Sequence, residues 1–296
     1  MVTLDSRVHW SIDVVRVGGA GADPAPRVDA LAELNAHDSL RTASIGKLFL
    51  LAELMRQVEA GMIGLNDVVS RDDERPDDFM EDSGILYMLD QRTFTVADLA
   101  VMVGACSDNY ATNLLVERVG LSHVQRCARE TLGYTRSTLL DKVRMTRRTG
   151  PDLPDDMSRG SADELCDYMV RLSRGTMISR GASSRIERWL GADFDTSMAS
   201  GAFCVDPLAH WPYDGDFLVR HKTGTESDVR CDVGMVTARS TGITVAYAIL
   251  ANWDKSAYGD LREPVLDDMR RLGMAIRRYV CTRDRSDLSA AQPHQG

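Results

Sequence analysis

The chain has 296 residues, 44% of them hydrophobic and 27% charged, which is enough apolar material for a large core or two packed subdomains. Its formal net charge is −9 and its pI about 5.2, and this argues against a polyanionic partner, since nucleic acid or an anionic membrane surface calls for basic patches. No apolar run reaches the roughly 18 residues that a membrane-spanning helix needs.

In chain order, "MVTLDSRVHW" lacks the cationic start and apolar stretch of a signal peptide, so a cytoplasmic protein is expected. "VHWSIDVVRV" (8–17) alternates Val8, Trp10, Ile12 and Val14 with polar neighbours, the pattern of a half-buried strand, and "GGAGADPAP" (18–26) reads as a turn. Residues 44–60 form a helix that is apolar almost all round in its first half, hence central and buried, with Gly61 as its stop. Helices are also expected over 95–105, 111–120 and 161–175, the last capped by Ser161. Between the last two lies a polar segment, 136–160, of a length that is usually functional or disordered. Strands return at 216–225, 230–238 and 243–253, a closing helix spans about 260–279, and the polar tail is expected to fray. The six cysteines are scattered without a CxxC pair and read as reduced thiols. The six histidines lack ligand spacing, so neither a metal nor a cofactor is expected.

Strands at both chain ends with helices between them predict an α+β sandwich. An antiparallel sheet (residues 1–43 and 186–283) is covered by helices, an all-helical lobe (44–185) is inserted, and 284–296 form a flexible tail. The junction of the two lobes is a natural ligand cleft.

Three short motifs carry chemistry. Ser44 and Lys47 stand three apart where the central helix begins, a pair that alone is common by chance. Ser107-Asp108-Asn109 follows an apolar helix, and Lys222-Thr223-Gly224 sits inside a strand, followed by Thr225. The order SxxK, SDN, KTG is that of class A β-lactamases and penicillin-binding proteins. "RTASIGK", "DSGIL" (82–86), "SDNYATNLLVERVG" and "RHKTGTE" resemble segments of the same family, and the resemblance covers about residues 8–280. The chain thus resembles the penicillin-recognising serine hydrolase superfamily, with class A β-lactamases as the nearest branch.

The resemblance implies an acyl-enzyme on Ser44. At a helix N-terminus the serine gains from the dipole and from unshared N–H groups. Lys47, one turn on, is then its base, kept neutral by burial and by the second cation Lys222. By the same resemblance Ser107 relays the proton to the leaving group, and Asn109 holds Lys47 and a substrate amide. Lys222 and Thr223 bind a substrate carboxylate or orient Ser107. The N–H groups of Ser44 and Thr225 make the oxyanion hole, and Gly224 lets substrate lie against the strand. Arg230 reads either as a carboxylate anchor, one residue closer to KTG than expected, or as a surface arginine. Cys106 reads as a packed thiol.

Two departures stand out. Class A enzymes carry a loop like LDRxExxxN whose glutamate activates the deacylating water. Here Leu140-Asp141-Lys142 starts that pattern, but Arg144 takes the glutamate's place and Arg148 the asparagine's, and no nearby acid among Asp141, Asp152, Asp155 and Asp156 has the right offset. An arginine cannot be a base. Few residues precede the first strand, so a sheet face is expected to be bare or covered by a second copy, a homodimer. The expected function is a serine hydrolase or acyltransferase acting on a small intracellular ester, amide or lactam, with weak or no β-lactam turnover. The alternatives are a β-lactamase or peptidase with another deacylation base, and an acylatable binding or sensing module. Trp211 and Tyr213 are expected to flank the site.

Overall fold

Long strands from the two ends of the chain pair side by side. The computed structural model describes residues 2–18, 29–73, 79–145, 154–209, 215–288 and 292–293. Strands β1 (Val8–Val17) and β2 (Asp29–Leu34) from the front join β3 (Phe217–Glu226), β4 (Val229–Ala238) and β5 (Thr244–Trp253) from the back. The order across the five-stranded sheet is β2-β1-β5-β4-β3, antiparallel throughout, which leaves β3 as one edge. Register places Thr223 opposite Asp232 and Thr225 opposite Arg230.

β1 is not half-buried as its alternation suggests; both of its faces are covered. Val8, Trp10, Ile12 and Val14 join the outer core as expected. On the other face Ser11 and Asp13 are fully buried. The Ser11 hydroxyl accepts the N–H of Ala162, the first residue of helix Ala162–Arg174, so a polar strand residue supplies what a helix N-terminus lacks. Ser161 stands at the cap position but its hydroxyl donates to Asp163 (2.5 Å) and accepts from the Arg136 guanidinium (3.1 Å) instead of capping. Val15 and Val17 continue the Ser11 and Asp13 face into the inner core, and a register shift between Val14 and Val15 leaves Leu31 of β2 unpaired.

The helices follow in chain order: α1 (Lys47–Glu59), α2 (Val96–Cys106), α3 (Asn109–Val119), α4 (Ala162–Arg174), α5 (Arg180–Leu190) and α6 (Arg262–Thr282). α1 is buried continuously from Lys47 to Met55 and stops at Gly61, which takes φ 71°. Thr95 and Asp98 form a reciprocal capping box at the start of α2. α5 is absent from the sequence reading, although Ala182, Ile186, Trp189 and Leu190 give it a clear apolar stripe.

α4 lies across the inner face of the sheet, so side chains of β4 and β5 share one continuous core with α1, α2 and α3. The outer face carries a second core, closed by α6 through Val265, Met269, Leu272, Ile276 and Val280, and by Val2, Leu4 and Leu288. The expectation of a bare sheet face is therefore corrected: its apolar side chains are buried within this chain. The tail is likewise not wholly frayed, since Leu288 is buried and Gln292–Pro293 pairs in parallel with Thr3–Leu4. The ends of the 136–160 segment fold too. Thr138–Leu139 and Ser158–Gly160 pair with each other, and the latter also pairs with Leu40–Arg41. Arg148, Asp152, Trp211, Tyr213 and nearly all of the 18–26 turn lie outside the described residues. Among the described residues no helix is long and apolar enough to cross a membrane.

Candidate active site

Ser44 sits in a single 3-10 turn, Ala43–Gly46, that feeds directly into α1. The turn is held from two sides. The Ser158 hydroxyl donates to the carbonyl of Ala43 (2.5 Å) and lies 2.7 Å from the Thr42 hydroxyl. From the sheet, Gly224 abuts the turn so closely that a Cβ there would stand 2.2 Å from the Thr42 carbonyl oxygen and 3.0 Å from Ile45. Gly224 thus seats the Ser44 turn against β3, a role the sequence reading does not give it. The turn also holds Ala43 at φ 48°, a left-handed conformation unfavourable for a residue with a Cβ.

Lys47 is fully buried. Its ammonium position reaches the Ser107 carbonyl (2.5 Å), the Ser107 hydroxyl (3.1 Å) and Asn109 Oδ1 (2.7 Å). Burial, with repulsion from Lys222, holds its pKa well below the ordinary lysine value, although Asp108 and Asp82 pull the other way. Ser107 presents both oxygens to Lys47 because it ends α2 in the left-handed region, φ 54°. Asp108 then caps α3 through the N–H of Ala111 (2.8 Å), and its other oxygen takes the N–H groups of Ile85 (2.7 Å) and Leu86 (2.8 Å). That pins the 82–86 segment beside the site. Asn109 Nδ2 donates to Asp82 (2.9 Å).

Lys222 is also fully buried, donating to the Thr223 carbonyl (2.9 Å) and lying 3.9 Å from Asp193 Oδ2. Burial raises the pKa of Asp193, against the opposing pull of Lys222 and His221. Asp195 is held below its usual value: burial pushes it up, but hydrogen bonds from Ser197 and Thr223 and the charge of His221 prevail. Thr225 is exposed at the strand edge. Arg230 is 7% exposed and turns back on its own hairpin, donating to the carbonyls of Glu226 (2.5 Å) and Val229 (2.7 Å). It is therefore no surface arginine, and both of these bonds come from Nη1. Cys106 donates to the Met102 carbonyl (3.2 Å), and burial pushes its thiol up to about 11, an unreactive state.

Asn113 Nδ2 donates to the Val143 carbonyl (3.0 Å) and its Oδ1 accepts the Val143 N–H (2.9 Å), clamping the loop that carries Arg144 onto α3. Arg144 donates to both oxygens of Asp141 (2.7 and 3.0 Å). Among the described residues no group of three or more His, Cys, Asp or Glu side chains is arranged to hold a metal. The structure therefore brings Lys47, Ser107 and Asn109 into direct contact. It adds three carboxylates that the sequence reading does not single out, Asp82, Asp193 and Asp195. Asp82 enters that reading only inside a matching segment, and a lone loop aspartate carries no local signal.

A serine at the head of a buried helix, a lysine of depressed pKa one turn on and a KTG strand closing the turn are set in a β-lactamase-like serine hydrolase fold. Residues 27–276 match the model of the beta-lactamase enzyme family, and the chain belongs to that family. Solved structures with the same fold include a β-lactamase from Sphaerobacter thermophilus (23% identity, TM-score 0.74, 93% of each chain covered). PBP-A (18%, TM-score 0.69) and a β-lactamase from Burkholderia vietnamiensis (18%, TM-score 0.69) each match over 94% of this chain and 93% of theirs. No curated protein matches the chain.

Proposed function

We propose that the protein is a serine acyl-transfer enzyme that forms an acyl-enzyme on Ser44 and releases it slowly to water. Lys47 carries this reading: it is buried, depressed in pKa and bonded to Ser107 and Asn109 one turn from the serine. A neutral Lys47 takes the Ser44 hydroxyl proton as the oxygen attacks a carbonyl carbon. The N–H groups of Ser44 and Thr225 receive the oxyanion. Ser107 passes the proton to the leaving nitrogen or oxygen as its bond to the acyl carbon breaks, leaving the ester on Ser44.

Deacylation is the weak step in this scheme. Where the family has a glutamate, Arg144 cannot accept a proton, and Asp141 is tied to it through both carboxylate oxygens. Losing a positioned base slows a step by roughly 10²–10⁴-fold. An acceptor more nucleophilic than water, such as an amine, suits this arrangement. The six free cysteines favour a reducing compartment, which supports a cytoplasmic location.

Intact-protein mass spectrometry with a generic penicillin tests the scheme. An adduct that forms slowly and then persists is expected on the native chain and none on Ser44→Ala. Rapid native turnover of the penicillin would overturn the slow release, and an adduct that survives Ser44→Ala would remove Ser44 as nucleophile.

A further inference from the structure

Each end of the cleft carries a carboxylate, Asp82 at one and Asp195 at the other, while the buried cations Lys222 and His221 face Asp193 and Asp232. At the α3 end, Asn109 gives one amide N–H to Asp82, so a donor that could greet a substrate carbonyl faces a protein carboxylate instead. Asp82 is itself exposed. At the strand end, Lys222 is buried beside Asp193, a carboxylate 1% exposed whose Oδ2 has no hydrogen-bond partner among the described residues. The Thr223 hydroxyl supports the charge on Asp195, which also accepts from the Ser197 hydroxyl (2.6 Å). Arg230 directs its donors to the Glu226 and Val229 carbonyls. A carboxylate arriving at Thr223 would meet Asp195, with Lys222 facing Asp193 and Nη1 of Arg230 tied to backbone.

Charge at such range decides selectivity. Two unit charges about 4 Å apart interact by roughly 1 kcal/mol in water and about 4 kcal/mol near a protein surface. The wall therefore penalises an anionic group and rewards a cationic one. We propose that the acyl substrate of Ser44 bears an ammonium group, an amino-substituted ester or amide, rather than the carboxylate of a penicillin-like acid. The proposal rests on the acyl-enzyme reading above and adds the substrate class. Asp195 and Asp82 act here as specificity residues, since they select the group beside the reacting carbonyl without exchanging protons with it.

Three p-nitrophenyl esters of matched chain length, 8-aminooctanoyl, octanoyl and suberoyl, too long for ready cyclisation, make the test. Each reports acylation of Ser44 as p-nitrophenolate leaves, with Ser44→Ala as the blank. The ammonium ester is expected to exceed the carboxylate ester in kcat/KM by at least about tenfold, with the neutral ester between them. Asp195→Asn or Asp82→Asn is expected to shrink that ratio while changing the neutral ester far less, which a merely structural role would not do. Raised salt is expected to compress the ratio as well. Equal rates, or a faster suberoyl ester, would overturn the substrate class while leaving the acyl-enzyme intact. An unchanged ratio in both variants would overturn the assignment to these carboxylates. No Ser44-dependent release from any ester would overturn the acyl-enzyme reading and this proposal with it.

Discussion

Lys222 acts on Lys47 through space. Its positive charge is the second cause, after burial, of the depressed pKa of Lys47. Lys47 works as a base only when neutral, and its neutral fraction falls as pH drops through its pKa. Removing Lys222 raises that pKa, so in Lys222→Met the acid limb of the acylation rate is expected to move to higher pH. At pH 7 the rate should fall by about tenfold or more. Rates of adduct formation followed by intact mass across pH measure both, and a limb that stays put or moves to lower pH would sink the coupling. This chemistry is legible in the sequence because residue type and order specify it: Ser44, Lys47, Ser107, Asn109 and Lys222 need no geometry to be noticed. Arg230 shows the limit. Its charge is visible in the sequence, but only the hairpin shows that its donors point at backbone carbonyls.

At the scale of elements, the nucleophile is positioned by a contact between a strand and a turn. Gly224 on β3 meets the Thr42 carbonyl where a Cβ would stand, and backbone on both sides cannot yield as a flexible side chain could. Gly224→Ala is expected to push the Ser44 turn off the strand, at a cost of about 1–3 kcal/mol in stability. Acylation should fall further than stability does, since Ser44 and Thr225 must stay close for their N–H groups to share one oxyanion. Denaturant titration and adduct rate on the same variant separate the two, and native acylation by the Gly224→Ala protein would refute the seating role. The elements themselves are legible to different degrees. β1 can be read over its full span, and α1 with its Gly61 stop, because periodicity and a positive-φ glycine are local signals. β2, "DALAEL", escapes the sequence reading: two alanines and two acids make a weak strand signal, and pairing with β1 supplies what propensity does not. The burial of both β1 faces is also hidden, since the helix that covers Ser11 lies 151 residues away in sequence.

For the whole molecule, the inner core runs from β4 and β5 through α4 into α1, α2 and α3, so the helical lobe shares its core with the inner face of the sheet, whose outer face carries the second core, and the two lobes are expected to unfold together. One buried group then reads out on the stability of the entire chain. His221 on β3 is fully buried, 3.2 Å from Asp232 on β4, which also accepts the Ser200 N–H (2.9 Å) and the Tyr247 hydroxyl (3.3 Å). Burial alone would push its pKa down, but Asp232, then Asp193 and Asp195, raise it from 6.5 to about 9. A group whose folded pKa is raised adds stability that is full below its unfolded pKa and lost as pH rises through the folded one. The window here is pH 6.5 to about 9. Lys47 works against it: its folded pKa is depressed, so between that value and the ordinary lysine one the unfolded chain binds more protons there and stability rises with pH. The wild-type curve alone therefore hides both contributions, and a difference is needed. His221→Asn is expected to be destabilising, and by of order 3 kcal/mol more at about pH 6 than at about pH 9.5. Urea titrations of both proteins at the two pH values give that difference directly. A penalty that is flat with pH would mean that His221 is buried neutral, and one that grows with pH would reverse the sign argued from its three aspartates.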